Sequence, residues 1–187
     1  MRNIEHKGTL NIETERLLLR RFVREDALAM YKNWANDSDV TAYLTWYPHE
    51  NVEVSKNILN MWIDDYKSKE CYNWGIVLKS YGKVIGSIGV VNESNEYDRC
   101  EVGYCIGKSF WGKGIMTEAL KAVIDFLLKE VGFNRVHAHH HVENKMSGKV
   151  MVKAGMKYEG RLREYIKNSK GIYTDCDMYS ILKSDIT

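Results

Sequence analysis

A short run of glycine and lysine, followed by a hydroxyl residue, could bind a phosphate group. Gly112, Lys113 and Gly114 stand between a strand-like segment and a helical one, and Thr117 falls in the first turn of that helix. Backbone N–H groups at the start of a helix lack partners and carry partial positive charge, and glycine lets an anion come close to them. The loop matches neither GxGxxG nor GxxxxGK(S/T), so taken alone it is better explained as a plain strand-to-helix turn.

A run of histidines suggests a second kind of chemistry, metal binding. On a strand, His137, His139 and His141 would share one face, with roughly 7 Å between next-nearest neighbours. No acidic ligand is paired with them in the sequence, so we expect no metal site. The cysteines form neither a CxxC pair nor a zinc-ligand spacing, and we expect reduced thiols. There are four of them: Cys71, Cys100, Cys105 and Cys176.

Length and composition indicate a single globular domain. The 187 residues are 44% hydrophobic and 28% charged, and we expect one domain over 1–187 with an ordered core from about 9 to 183. The formal net charge of +2 comes from basic residues interspersed with acids, which argues against a nucleic-acid partner. No apolar signal core and no membrane-length apolar run is present, so we expect a cytoplasmic protein without a membrane partner.

The spacing of apolar residues predicts the elements that must position these side chains. Strands are predicted at 16–22, 72–80, 83–91, 99–107, 134–142, 156–166 and 172–183. Helices are predicted at 24–37, 51–70, 114–130 and 144–155, the last one closed by Gly155. Three hairpin-linked strands, a crossover helix and further strands predict an α/β (α+β) fold. Its sheet would be mixed and mostly antiparallel, with about seven strands and helices on both faces.

The segment around the glycine loop strongly resembles the GNAT superfamily of N-acetyltransferases. The resemblance rests on CEVGYCIGKSFWGKGIMTEALKAVIDFLL followed by NRVHAHHHVENKMSGKVMVKAGMKYEG, and it extends from TERLLLRRF to YSILK. The superfamily's pyrophosphate loop usually reads (Q/R)xxGx(G/A), and WGKGIM departs from that pattern at both ends. The departure is typical of the ribosomal-protein N-terminal acetyltransferases, whose loop commonly reads WGKGxxTEA. The chain is most similar to that group.

The resemblance implies a fold and a co-substrate. Two neighbouring parallel strands, 101–106 and 134–141, would splay apart and admit acetyl-CoA, and Asn144 would reach its pantetheine arm. Backbone groups on the first strand would pair with pantetheine as a further strand does: Tyr104, Cys105 and Ile106. Backbone amides of the loop and the first helical turn would hold the pyrophosphate: Gly112, Lys113, Gly114, Ile115, Met116 and Thr117.

Acetyl transfer to an amine needs groups that move protons and stabilise an oxyanion, and it needs no covalent enzyme intermediate. Many relatives protonate the leaving thiolate with a tyrosine seven residues after the asparagine, but Met151 stands there in this chain. The ribosomal-type branch has a serine three residues after the asparagine, which is Ser147 here. A helix-capping role explains Ser147 equally well. By resemblance, a backbone N–H near Cys105 would stabilise the oxyanion.

Four residues are candidates for the general base. Glu101 lies on the strand before the loop, where several relatives place a catalytic glutamate, and it ranks first. His139 lies five residues before Asn144, where another N-terminal acetyltransferase group has its base, and an ordinary imidazole pKa of about 6.5 suits the task. Glu159 and Glu164 lie on the last hairpin, which faces the acceptor in this branch. A structural role is the alternative for each of them.

The sequence therefore predicts an acetyl-CoA-dependent N-acetyltransferase that acts by direct transfer in a ternary complex. The leading acceptor is the N-terminal amine of a ribosomal or other protein, and a polyamine, an amino acid or an aminoglycoside is the alternative. A non-catalytic acyl-CoA-binding module would keep the loop but lack proton-transfer groups. Some aromatic residues could line the acceptor site or belong to the core: Trp34, Trp46, Tyr47 and Trp62. A monomer and a homodimer are equally compatible with the sequence.

Overall fold

The protein folds around an eight-stranded sheet in a computed structural model that describes residues 4–186. The strands are β1 Ile12–Glu13, β2 Leu17–Arg20, β3 Asn73–Leu78, β4 Lys83–Ser94, β5 Arg99–Ile106, β6 Arg135–His141, β7 Lys157–Lys167 and β8 Tyr173–Leu182. The sheet order is β1-β2-β3-β4-β5-β6-β8-β7. Every neighbouring pair is antiparallel except β5 with β6, which is parallel.

Helices connect and cover the strands. The α-helices are α1 Ala27–Met30, α2 Ser38–Thr41, α3 Val52–Asp65, α4 Ile115–Asp125 and α5 Lys145–Lys153. A π-helical turn extends α1 over Tyr31–Ala35 and α4 over Phe126–Val131. Short 3-10 turns lie at Arg24–Asp26, Lys108–Phe110 and Lys183–Asp185. Within residues 4–186, none of the helices is long and apolar enough to span a bilayer.

Each face of the sheet carries its own hydrophobic core, because side chains alternate between the two faces of a strand. One face packs against α4 and α5, and the predicted inward stripe of α4 is buried there: Met116, Leu120, Ile124 and Leu127. The other face packs against α1 and α3, around Phe22, Trp34 and Leu59. Full burial of one such side chain contributes roughly 1.5–3 kcal/mol. Strand β5 therefore contacts both cores, through Val102 on one face and Cys105 on the other.

The predicted strands and helices are all present, with ends that shift by a few residues. The sheet has eight strands rather than about seven, because the two-residue β1 pairs with β2 across a turn in which the Thr14 N–H donates to the Leu17 carbonyl at 3.0 Å. Strand β4 continues to Ser94, three residues beyond its predicted end, where polar residues still pair with β5. Helix α2 was not predicted. Gly155 has a φ of +95° and closes α5, as predicted.

Candidate active site

The parallel pairing of β5 with β6 covers only three residue pairs and ends at Glu101 and His137. Strand β5 continues to Ile106 and β6 to His141, so the two strands diverge as the resemblance implies. One edge of β5 stays paired with β4 as far as Ile106, whereas the edge facing β6 has no strand partner beyond Glu101 within residues 4–186. A cavity of about 970 Å³ reaches into the gap. An extended ligand could bind the open edge as an added strand does.

The residues expected to hold the pantetheine arm are mostly at this gap. Tyr104, Cys105 and Asn144 line the cavity. Ile106 is 9% exposed and packs in the core below α4, so only its backbone can contribute to a site. Burial raises the pKa of the Cys105 thiol, which keeps it protonated at neutral pH.

The glycine loop has the conformation that an anion site requires. Gly112 and Gly114 both have a φ of +73°, in the left-handed region that favours glycine. Gly114 is the N-cap residue of α4, and no side chain caps the helix there, so its first N–H groups stay open. Ile115 and Met116 bury their side chains in the core, which leaves only their backbone amides for a ligand. Thr117 is half-buried in the same turn.

Arg16 holds the glycine loop in place from a distant part of the chain. Its Nη1 donates to the Lys113 carbonyl at 3.0 Å, and its guanidinium pairs with the Glu118 carboxylate at 2.6 Å. The Thr14 hydroxyl also donates to Glu118, at 2.6 Å. Arg16 therefore orders the loop, while Glu118 balances its charge. Sequence reasoning missed it, because about a hundred residues separate it from the loop and no local pattern marks the contact.

The buried carboxylate of Glu101 lies between two imidazoles, where β5 and β6 part. Its Oε1 lies 2.5 Å from His139 Nδ1, and its Oε2 lies 3.7 Å from His137 Nε2. The first contact has the distance of an ion pair, although the ring N–H is not in line with the carboxylate. Burial raises the pKa of Glu101, but His139 and His137 outweigh that effect and the net pKa is lowered. Glu101 is therefore ionised at neutral pH.

Burial also lowers the pKa of His137, and the nearby Glu101 opposes that shift. A neutral imidazole beside an ionised carboxylate is an arrangement that can accept a proton and stabilise the resulting charge.

A second polar pair lies on the opposite face of β5, because Glu101 and Tyr104 are an odd number of residues apart. The Tyr104 hydroxyl lies 2.9 Å from Ser147 Oγ. Asn144 Oδ1 accepts a hydrogen bond from the Ser147 N–H at 3.3 Å, so Asn144 and not Ser147 caps α5. Burial raises the pKa of Tyr104, which is a proton donor at neutral pH. The Tyr104 side chain was not predicted as part of the site.

A bulge in β7 places an aromatic ring against His139. Residues 163–165 stand opposite a single residue of β8. Glu164 has a φ of +50°, which is strained for a residue with a side chain, and its N–H donates to Asp175 Oδ1 at 2.9 Å. The Tyr165 ring meets the His139 ring edge-on, with 5.0 Å between centroids. Bulges commonly redirect a side chain toward a site, and this one restricts the orientation of His139.

The other two candidate bases lie away from the gap. Arg135 binds the Glu159 carboxylate through both of its terminal nitrogens, and Ser180 donates to it at 2.6 Å. Arg135 lowers the pKa of Glu159 to about 2, which makes it a poor base. Glu164 is exposed on the outer hairpin. Of the four residues left open by the sequence, Glu101 and His139 line the described cavity and Glu159 and Glu164 do not.

The histidine run, for which no metal site is expected, contacts an acidic side chain in the structure. Glu101 lies between His137 and His139 as an ion-pair partner, although the sequence pairs no acid with them. Within residues 4–186, a group of side chains with metal-ligand spacing is found elsewhere, at His6, Glu70 and Glu93. His6 is already bonded there, with its Nδ1 3.0 Å from the Tyr72 hydroxyl.

The sequence left two explanations for four aromatic residues, a place in the core or in the wall of the acceptor site. Trp34 is fully buried in the core below α1 and α3, and it also forms part of the cavity wall. Trp46 and Trp62 are partly buried and line the cavity. Tyr47 is 62% exposed and is not among the residues lining the described cavity.

Comparison with known proteins agrees with this geometry. The acetyltransferase (GNAT) domain model matches residues 16–157, more than half of the chain. The chain is 34% identical over 172 residues to the uncharacterized N-acetyltransferase p20 of Bacillus licheniformis, covering 92% of this chain and 96% of that one. It is 36% identical over 83 residues to the ribosomal protein uS5-alanine N-acetyltransferase of Escherichia coli, covering 42% of this chain and 43% of that one.

The fold is also similar to a solved acetyltransferase. The Microcin C7 self immunity acetyltransferase MccE, solved in complex with acetyl-CoA and AMP, superposes with a TM-score of 0.80 at 22% identity, over 90% of this chain and 93% of that one. The family model and the relative from Bacillus licheniformis cover most of the sheet and both halves of the gap. The chain is therefore an N-acetyltransferase of the GNAT family.

Proposed function

We propose that this chain transfers the acetyl group of acetyl-CoA directly to a primary amine, with both substrates bound at the gap between β5 and β6. The end of the β5–β6 pairing at Glu101 carries the proposal. It opens a strand edge for an extended ligand and puts the Glu101–His139 contact at the same point. MccE was solved with acetyl-CoA, which supports the same co-substrate here. Both cores share one sheet, which supports a single acetyltransferase domain.

The described residues fit acetyl-CoA. The open edge at Tyr104 and Cys105 suits the amides of the pantetheine arm, and the turn from Gly112 to Thr117 suits the pyrophosphate. Arg16 holds that turn in place through the Lys113 carbonyl. Acetyl-CoA supplies a thioester carbonyl when it is bound. Backbone N–H groups near Cys105 would stabilise negative charge on the carbonyl oxygen.

Glu101 and His139 act together as the general base in this proposal. His139 turns Nδ1 toward the Glu101 carboxylate, which leaves Nε2 to accept a proton from the ammonium of the acceptor. The ionised carboxylate then stabilises the imidazolium. Tyr165 restricts the ring from the side.

Ser147 and Tyr104 protonate the leaving group. Because they lie across β5 from Glu101, the base and the acid stand on opposite sides of the gap. A proton passes from Ser147 Oγ to the sulfur as the carbon–sulfur bond breaks, and Tyr104 returns a proton to Ser147. The uS5-alanine acetyltransferase similarity supports an N-terminal amine as one candidate acceptor.

A thermal-shift titration with acetyl-CoA, followed by thiol-release assays with N-terminal peptides and small amines, tests the proposal. We expect stabilisation by acetyl-CoA, because ligands that bind only the folded state raise its melting temperature. We also expect thiol release with one acceptor class. Stabilisation without release for every acceptor would support the non-catalytic acyl-CoA-binding alternative. No stabilisation would contradict acetyl-CoA binding altogether.

A further inference from the structure

The sheet leaves open space for an acceptor next to Glu101. Two cross-strand pairs of β4 and β5 line the cavity there, Ser87 with Cys105 and Gly89 with Gly103. The Ser87 and Cys105 side chains are small, whereas the Val91 side chain covers Gly103 and the backbone of residues 72–73 covers Gly89. A ligand can therefore lie against the Ser87–Cys105 pair, on the face of β5 that also carries Glu101.

The wall opposite this surface is aromatic and held in place. Trp62 packs on Phe22 with 5.1 Å between ring centroids, and Trp46 packs on His49 at 5.3 Å. The His49 ring is fixed in turn by the Ser55 hydroxyl, 2.8 Å from its Nδ1. Since these contacts exist without a ligand, the wall is preformed.

The segment between α2 and α3, which carries Trp46, also contacts β6. The Tyr43 ring packs on His141 of β6 with 5.1 Å between centroids. The acceptor side is therefore bounded by the sheet, by the aromatic wall and by β6. The aromatic side chains of this wall suit an apolar group on the acceptor.

Apart from its histidines, the charged side chains that line the cavity are acidic. Among the described residues that line it, there is no lysine and no arginine. Its acidic side chains are Asp65, Glu70, Glu93 and Glu101. A phosphate or carboxylate on the acceptor would be desolvated without a counter-charge, which is costly. An ammonium would find Glu101 near the point of transfer, and aromatic faces attract cations.

We infer that the acceptor is a primary ammonium carried on an aromatic body, with no acidic group beside it. The inference rests on the proposed function, because it names the acceptor of the same site. The ammonium gives one proton to His139, and the resulting amine attacks the acetyl carbon. As the carbon–sulfur bond breaks, the nitrogen releases a second proton to water and the sulfur takes a proton from Ser147. Ser147 is then reprotonated from water through Tyr104, so one proton is released overall. The aromatic amine is either a free molecule or the first residue of a peptide.

A matched set of acceptors tests the inference in a thiol-release assay. Phenylalaninamide carries the ammonium and the ring, phenylalanine adds a carboxylate, alaninamide lacks the ring, and putrescine has a second cation in its place. We expect kcat/KM for phenylalaninamide to exceed each of the other three by about thirtyfold, in the range that one pocket contact supplies. A peptide beginning with phenylalanine distinguishes the two sources: faster turnover than the amide supports the peptide, and slower turnover supports the free amine.

Variants of the aromatic wall provide a second test of the inference. Trp46→Ala and Trp62→Leu should raise KM for phenylalaninamide about tenfold and leave the acetyl-CoA thermal shift unchanged. Tyr47→Ala is the matched control, because Tyr47 is next to Trp46 in sequence but outside the cavity lining. Its KM should equal that of the wild type. An unchanged acetyl-CoA shift also shows that each variant is folded.

The outcomes separate this inference from the proposed function. Turnover of alaninamide, phenylalanine or putrescine at or above the phenylalaninamide rate would overturn the inference and leave the proposed function standing. Acetyl-CoA stabilisation with none of these amines acetylated would also overturn the inference. Failure of acetyl-CoA to stabilise the wild-type protein would overturn the proposed function itself.

Discussion

Glu101 Oε1 and His139 Nδ1 lie 2.5 Å apart at the point where β5 and β6 separate. The two residues come from different strands, and the parallel pairing of β5 with β6 brings them together. Because the histidines beside it lower the pKa of Glu101, its carboxylate stays ionised well below neutral pH. Because the two residues act as one base, substitution of either one should lower kcat.

Glu101→Gln and His139→Gln should each lower kcat by about a hundredfold or more, the usual contribution of a general base. Acetyl-CoA affinity should be nearly unchanged. Glu159→Gln makes the same change outside the cavity and should keep the wild-type kcat. Wild-type kcat for Glu101→Gln would contradict the assignment.

Gly112→Ala should weaken acetyl-CoA binding about tenfold, because a methyl group blocks the approach of a phosphate to the backbone. Gly82→Ala is a matched control: Gly82 has a φ of +69° against +73° for Gly112, and at both positions an added Cβ meets nothing within 4 Å. Each change should cost about 1–2 kcal/mol of folding stability through left-handed strain. Titration by calorimetry measures the affinity. Equal affinities for the two variants would show that the loop is only a turn.

Gly114→Val should weaken acetyl-CoA binding by more than tenfold, and it should also destabilise the fold, because Gly114 has a φ of +73° at the N-cap of α4. Circular dichroism melts measure the second effect. Arg16 lies 3.7 Å from the position of the new Cβ. Unchanged affinity in the folded variant would argue against a backbone phosphate site.

Ser147→Ala and Tyr104→Phe should each lower kcat and leave acetyl-CoA affinity nearly unchanged. Because their hydroxyls lie 2.9 Å apart and act in one proton path, the double variant should be little worse than the single ones. Steady-state kinetics of the wild type, the two single variants and the double variant complete the double-mutant cycle. Ser180→Ala, at a buried serine bonded to Glu159 and outside the cavity lining, is the control and should keep wild-type kcat. Fully additive losses would exclude a shared path.

Acid should destabilise the protein through Glu159. Its pKa is lowered from 4.5 to about 2 by Arg135, so its stabilising effect is complete above pH 4.5 and is lost as the pH falls through 2. The free energy of unfolding of the wild type should therefore fall more steeply over this interval than that of Glu159→Gln. Urea denaturation at a series of pH values measures both. Parallel curves would show that the Arg135 contact does not stabilise the fold.

Local sequence patterns were sufficient for most of the fold. The apolar stripe of α4, the continuous buried run of β3 and the alternation in β6 are local patterns, and they could be read without knowledge of neighbours. The two-residue β1 and the single-turn α2 could not be predicted, because such short segments have no period.

The site was predictable only in part, for the same physical reason. The glycine loop and the asparagine-to-serine spacing are local, and the structure places them at one gap. The contact of Arg16 with Lys113 and that of Tyr104 with Ser147 join residues 97 and 43 positions apart. The ring of Tyr165 reaches His139 only because of a bulge that no sequence pattern marks.

The bulge at residues 163–165 has a consequence for association as well as for the orientation of His139. Strand β7 is the last strand on its side of the sheet, and the strained backbone at Glu164 breaks the straight line of backbone groups that a neighbouring molecule would need. The opposite end of the sheet is the two-residue β1. Both borders are therefore poor templates for a foreign strand, which protects this sheet from growing by edge-to-edge aggregation.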